Sequence, residues 1–216
     1  DLIGRCDGYN AYPAFAGSRA GIKLAGCWAH ARRKFFEALE QSSRTAGWFM
    51  RQIQHLYIIE ARLRQQQASP KARQIVRAQA SQPIVERIHR ALVRLKLARR
   101  HLPQSLMGRA IDYTLGLWPT LQEYLLDGRL EIDNNLVENA IRPTALGKKN
   151  WLFIGEAEAG DRGAILYTLI ECCRRRGIDP YSYLRDVLSR LPDMTNWQIP
   201  EVTPAAGQRP NPNSFL

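Results

Sequence analysis

Residues 127–143 read Asp127-Gly128-Arg129-Leu130-Glu131-Ile132-Asp133-Asn134-Asn135-Leu136-Val137-Glu138-Asn139-Ala140-Ile141-Arg142-Pro143. The first three residues are a turn signal, and Leu130-Glu131-Ile132 reads as a brief extended piece. Asp133 has N-cap character: its carboxylate accepts the free N–H groups of the next turn, whose partial positive charge favours an acid. The spacing of Leu136, Val137, Ala140 and Ile141 predicts one apolar face on a short helix running from Asn134 to about Ile141. Arg142 precedes Pro143, and a residue before proline is pushed out of the helical region, so the helix is expected to stop there. Glu138 falls on the first or second turn of that helix. Glu131 is most simply a surface residue, and Asn134 and Asn135 either start the helix or orient the groups around it.

Downstream, Asn150-Trp151-Leu152-Phe153-Ile154-Gly155 reads as a strand or hairpin arm. Helices are expected at about 161–176 and 180–191, and a tail carrying Pro192, Pro200, Pro204, Pro210 and Pro212 reads as loosely ordered. Upstream, Leu2-Ile3-Gly4-Arg5-Cys6 is strand-like and ends at the Asp7-Gly8 turn. Ile22 to Trp28 reads as a second buried strand leading into a helix near Ala29. Phe35, Phe36 and Leu39 take one side of that helix, and Arg32, Arg33 and Lys34 the other. From Trp48 to Arg100 the pattern is helical throughout, with an apolar stripe Ile53, Leu56, Tyr57, Leu63 interrupted by Glu60. Ser69-Pro70 opens a helix, Pro83 kinks one or starts one, and a further helix from Pro103 to Leu126 is kinked near Trp118-Pro119. The divisions drawn from these patterns are 1–40, 41–126, 127–191 and 192–216.

The chain has 216 residues, 45% hydrophobic and 24% charged, which excludes wholesale disorder and allows a real core. Its apolar runs fall short of the roughly 20 residues that span a bilayer, so no membrane association is expected. It begins at Asp1 with strand-like residues and without Met, as expected of a piece of something longer. Cys6, Cys27, Cys172 and Cys173 form no disulfide framework, and reduced thiols fit a cytoplasmic setting. Net charge is +11, and its distribution is uneven. Residues 41–110 hold 14 Lys and Arg against only Glu60 and Glu86. Such a block either faces solvent or binds a polyanion, of which nucleic acid is the commonest.

Asp7 at a strand end and Glu138 on a packed helix can converge despite their separation in sequence. Converging carboxylates are hard oxygen ligands for a divalent cation, and a pair of such cations serves phosphodiester chemistry. Each acid also has a local explanation: Asp7 shapes its turn, and Glu138 pairs with Arg142 four residues on. Asp133 is a rival acid, but the N-cap role accounts for it. Cys27 and His30 offer two ligands where a structural Zn²⁺ site wants four, so packing or hydrogen bonding near the site is the preferred role for this pair.

The run 127–143, continued by Leu146-Gly147-Lys148-Lys149-Asn150-Trp151-Leu152-Phe153, closely resembles the C-terminal catalytic segment of the IS66 family of insertion-sequence transposases. Asp7-Gly8-Tyr9 with Tyr12, Gly26-Cys27-Trp28-Ala29-His30-Ala31-Arg32-Arg33-Lys34-Phe35 and Gly177-Ile178-Asp179-Pro180-Tyr181 agree in order, so the likeness reaches from residue 1 to about 191.

The resemblance implies an α/β fold: part of an RNase H-like core interrupted by a large, mainly α-helical insertion, helix-rich overall. It implies a DDE transposase that cuts and joins DNA with Mg²⁺ or Mn²⁺, in which Asp7 corresponds to the second acidic residue and Glu138 to the third. The first Asp is expected upstream of this chain. Asp1 is no substitute, because six strand residues place it roughly 20 Å from Asp7. The chain is therefore expected to be inactive alone, the alternative being a non-catalytic DNA-binding remnant or regulatory partner of an intact transposase. DNA contacts are expected from Arg32, Arg33, Lys34, Arg142, Lys148, Lys149 and Trp151, with Trp151 either stacking on an unpaired base or joining the core. Cys27, His30, Asp133, Asn134 and Asn135 are expected to support the site. A homo-oligomer on DNA, accessory proteins of the same element and a nucleoid-associated location complete the expectation.

Overall fold

The computed structural model describes residues 2–6, 22–151 and 155–206. Asp7, the Asp7-Gly8 turn, Leu152–Ile154 and the last ten residues lie outside the described residues. The chain divides into two compact units, Asp1–Asn135 and Leu136–Leu216.

In the first unit β1 (Leu2–Cys6) and β2 (Ile22–Gly26) pair in parallel, Leu2 opposite Ile22 and Cys6 opposite Gly26. Around this small sheet the unit is helical: α1 (Trp28–Glu37), α2 (Leu39–Gln65), α3 (Pro70–Val76), α4 (Gln82–Leu97), α5 (Leu106–Gly116) and α6 (Trp118–Leu126). Ser69 starts α3 as expected, its hydroxyl accepting from the Ala72 N–H at 3.3 Å. Ser105 does the same for α5 through Gly108 at 3.0 Å, and the chain breaks at Leu117 before Pro119 takes the first turn of α6.

Pro83 sits in the first turn of α4, one of the two expected roles. The chain stays helical from Pro70 to Leu97 by widening Arg77–Ser81 into a π turn. A proline ring collides with the carbonyl four residues back, and a wider turn just before it relieves that collision.

The core of this unit follows the sequence periodicity. Phe35 of α1 stacks on Phe49 of α2, with ring centroids 4.5 Å apart. Trp28 meets Trp118 edge-on at 6.0 Å, and its indole N–H donates to the Leu121 carbonyl at 2.9 Å. Ile53 and Leu56 of α2, Ile88 and Leu92 of α4, Met107 of α5 and Ile132 are fully buried with them. Each such side chain contributes about 1.5–3 kcal/mol by leaving water.

The second unit holds α7 (Asn135–Trp151, its first residue at the boundary), α8 (Ala157–Arg175) and α9 (Pro180–Arg190). Here the expectation of a helix ending at Ile141 needs correction: α7 continues through Pro143 and takes in Asn150 and Trp151, the first two residues of the expected strand or hairpin arm, whose Leu152–Ile154 lie outside the described residues. An interior proline costs about 3 kcal/mol. Val137, Ala140, Ile141, Thr144 and Trp151 line an open apolar groove with Ala159, Ala164 and Tyr167 of α8, so the apolar stripe of α7 runs on past the proline, with Val137, Ile141 and Trp151 half-exposed.

Asp179 caps α9 by accepting from the Ser182 N–H at 2.8 Å. The proline-bearing stretch after α9 is ordered as far as residue 206, forming 3-10 turns at Leu191–Asp193 and Asn196–Val202. Val202 gives the reason: it packs with Cys173, Tyr183 and Val187, and its carbonyl accepts from the Tyr183 hydroxyl at 2.7 Å.

Candidate functional site

The segment from Asp127 to Asn134, between α6 and α7, has no regular secondary structure, yet it is held at several residues. Arg77, in the π turn, is fully buried. Its Nε and Nη2 donate to the two oxygens of Glu60 at 2.8 and 2.7 Å. The remaining guanidinium hydrogens go to backbone: Nη1 to the carbonyls of Tyr124 (2.7 Å) and Asp127 (3.0 Å), and Nη2 to that of Leu130 (2.8 Å). A planar fork of five donors suits this task, since it satisfies one carboxylate and three carbonyls at once.

A second layer surrounds the first. Arg73 bridges Glu60 (3.0 Å) and Glu131 (2.8 Å), and Arg64 reaches Glu131 from α2 at 2.9 Å. Glu131 is therefore not a simple surface residue, correcting the expectation. Burial pushes its carboxyl up, but the hydrogen bonds from Arg73 and Arg64 outweigh this and hold it below the usual carboxylate range. Gly128 lies so close to α3 that a Cβ there would sit 1.8 Å from the Pro70 carbonyl oxygen.

At the far end of the segment, Ile132 is buried and its carbonyl accepts from the Trp28 N–H at 3.2 Å. Asp133 accepts from the Asn135 backbone N–H at 3.2 Å and from the Asn135 side-chain amide at 3.0 Å. Burial and this nearby carboxylate push the Tyr57 hydroxyl well above its ordinary pKa. So Asp133 does receive the N–H groups at the helix start, one residue earlier than a strict N-cap, because α7 begins at Asn135. Cys27 lies against the backbone of Asn134. Burial raises its thiol pKa, only partly offset by hydrogen bonds from the Asn134, His30 and Ala29 backbone. His30 is half-buried on the first turn of α1.

Of the basic cluster on α1, Arg33 is exposed, while Lys34 pairs with Glu37 at 3.5 Å and lies 5.9 Å from the Tyr113 ring. Arg32 is half-buried in a recess of about 260 Å³ with Ala29, Gln54, Tyr57 and Asn135. The basic block 41–110 splits into two kinds of residue. Arg64, Arg73 and Arg77 serve the internal network, whereas Arg44, Arg51, Arg62, Arg90, Arg94, Arg99, Arg100 and Arg109 are exposed.

In the second unit Glu138 is half-buried on the first turn of α7. At 100° per residue, Glu138, Arg142 and Lys149 fall within an arc of about 40° on one helix face, and both cations are exposed. Trp151 is half-exposed and folds back over Gly147, where a Cβ would sit 2.6 Å from its ring.

Among the described residues no group of three or more His, Cys, Asp or Glu gathers as a metal site. The carboxylate of Glu138 has the hard-oxygen chemistry that Mg²⁺ or Mn²⁺ prefers. Glu60, Arg77, Arg73 and Tyr57 escape sequence reading as parts of the site. The visible signal was Glu60, an acid on the apolar stripe of α2.

Among known proteins, the family model described as "Transposase IS66 family" matches residues 3–162, and that of the "IS66 C-terminal element" matches residues 168–204. Three uncharacterized proteins of Sinorhizobium fredii (strain NBRC 101917 / NGR234) are similar. The chain is 37% identical to y4jD over 191 residues, 86% of this chain and 37% of that protein. It is 35% identical to y4qI over 207 residues, 91% of this chain and 36% of that protein. To y4hP it is 34% identical over 216 residues, covering 92% and 38%. The chain thus spans little more than a third of the length of these relatives. No solved structure matches it.

Proposed function

This chain belongs to the IS66 transposase family, and from that premise we propose that it is the C-terminal part of a DDE transposase with an RNase H-like core, acting on DNA with Mg²⁺ or Mn²⁺. Family membership supports a role in transposition. One observation carries the finer reading: within the family-matched region, the candidate ligand Glu138 shares a helix face with Arg142 and Lys149. A carboxylate beside two exposed cations suits a group that holds a metal while its neighbours neutralise the phosphates flanking the reacting bond.

In this proposal Asp7 and Glu138 hold the cation together with an Asp from the part of the longer protein that this chain lacks. When bound, the cation supplies Lewis-acid polarisation of the scissile phosphate. Water attacks phosphorus at the element's end and the 3′ oxygen leaves with the bonding electrons. The freed 3′-hydroxyl then attacks a target phosphorus, forming a new P–O bond as the target strand's P–O3′ bond breaks and that 3′ oxygen leaves, taking up a proton. Arg32, Arg33, Lys34, Arg142, Lys148, Lys149 and Trp151 contact DNA, and the exposed arginines of the helical insertion clamp its backbone without reading sequence. The segment 127–135, fastened by Arg77 and Arg73, sets where α7 starts. The 216-residue chain is inactive alone, and a homo-oligomer on DNA with accessory proteins of the element, in the bacterial cytoplasm, completes the proposal. Among the described residues no helix is long and apolar enough to cross a membrane.

The test is Mg²⁺-dependent end cleavage by a protein of the relatives' full length. Asp7→Asn and Glu138→Gln are expected to lower cleavage at least 100-fold while DNA binding persists. Full activity in either variant refutes the assignment. Binding without cleavage by the unmodified full-length protein would identify a non-catalytic DNA-binding remnant instead.

A further inference from the structure

We infer that the recess between α1 and α2 beside Asp133 receives a single unpaired nucleotide of a bound DNA strand. The inference rests on DNA being the partner and adds a site that the charge pattern does not contain. Five residues line the recess: Ala29 and Arg32 from α1, Gln54 and Tyr57 from α2, and Asn135 at the start of α7. Its volume of about 260 Å³ lies below the ~300–1,000 Å³ of sites for drug-sized ligands and suits one nucleotide unit.

The lining chemistry divides the way a nucleotide does. Arg32 offers a guanidinium fork, the group best matched to a phosphate. Gln54 and Asn135 each present a carboxamide, with a donor and an acceptor side by side, which is the pattern that reads a base edge. The Asn135 amide is pre-set: one of its hydrogens is given to Asp133 at 3.0 Å, leaving the second hydrogen and Oδ1 for a ligand. Asp133 itself would repel a phosphate, but the backbone N–H and side-chain amide of Asn135 both donate to it. Among the three cations of α1, Arg32 alone has this setting, since Arg33 is exposed and Lys34 is paired with Glu37. A cation that served only to attract duplex DNA would gain nothing from two carboxamides at its side.

The experiment compares binding of the intact 216-residue chain to a blunt duplex and to the same duplex carrying one unpaired 2-aminopurine nucleotide, at fixed salt. The unpaired nucleotide is expected to tighten binding about ten-fold, the scale of one bidentate base contact, and to change the 2-aminopurine emission. Gln54→Ala, at an exposed position, and Ala29→Leu, which fills the recess, are expected to erase the preference and leave blunt-duplex affinity within about two-fold. Equal affinity for the two duplexes, or a preference that survives both substitutions, overturns the inference while the DNA-binding proposal stands. Loss of the preference on adding inorganic phosphate at constant ionic strength reveals a simple anion pocket and also overturns it. Absence of binding to either duplex overturns both.

Discussion

Substituting Arg77→Met leaves the Glu60 carboxylate buried without its principal partner and withdraws three hydrogen bonds from the carbonyls of Tyr124, Asp127 and Leu130. Removing one member of a buried ion pair costs about 3–5 kcal/mol, mostly because an uncompensated charge remains. Arg73, 3.0 Å from Glu60, retains part of the attraction and pulls the expected loss toward the lower end. The three carbonyls pull it back up, since each unmet buried acceptor costs about 1–3 kcal/mol where water cannot reach it. A net loss of about 4 kcal/mol is a large share of the 5–15 kcal/mol that typically stabilises a folded protein. Urea unfolding of the 216-residue chain measures it, with Arg62→Met as an exposed control expected within about 0.5 kcal/mol of the parent. The double change Glu60→Leu with Arg77→Met should be milder than Arg77→Met alone, because no buried charge is stranded. A single-variant loss below about 1 kcal/mol, or a double variant worse than the single, would refute the account of this network.

Three further outcomes are expected. The Arg129 guanidinium and backbone N–H hold the Asp127 carboxyl down at about 2, so its contribution to stability is present above the ordinary carboxylate pKa and is lost as pH falls from about 4 through 2; a carboxylate NMR titration should show that midpoint, and Arg129→Ala should raise it without restoring the ordinary value, because the backbone N–H remains. Gly128→Ala forces a Cβ against the Pro70 carbonyl and should destabilise the chain by about 1–3 kcal/mol in thermal unfolding, with an unchanged melting temperature ruling out the close approach. Arg142→Ala and Lys149→Ala should each reduce the magnitude of the slope of log affinity against log salt by about one for duplex DNA, whereas slopes equal to the parent's would show that this face of α7 does not touch phosphate.

The two strands and most helices were legible because their apolar residues repeat at 2 or 3.6 positions and their starts carry signals such as Ser69-Pro70 and Asp179-Pro180. Three features were not legible, each for a physical reason. Pro143 reads as a stop from local sterics alone, yet the helix and its apolar stripe run on past it to Trp151. Glu60 reads as a gap in a stripe, because its partner Arg77 lies on another helix and side-chain pairing across helices leaves no local trace. Glu131 reads as surface for the same reason, its two arginines coming from α2 and α3. At the start of α7 the Asp133–Asn135 hydrogen bonds follow from the capping signal in the sequence, whereas the Tyr57 hydroxyl near Asp133 was hidden in a core-like pattern.

The π turn at Arg77–Ser81 gives the helical arm from Pro70 to Leu97 one residue more than regular winding would use. That extra residue acts as slack, setting the rotational phase between two halves with different duties: Arg73 and Arg77 aim at the loop, while Val85, Ile88 and Leu92 aim at the core. A single deletion within 78–80 would keep the halves in phase but bring the Pro83 ring against the carbonyl four residues back. Shortening the arm by a residue at any other interior position would turn one half away from its partners by about 100°. Length variation in this arm is therefore best absorbed at that one turn, and there only if the proline changes with it.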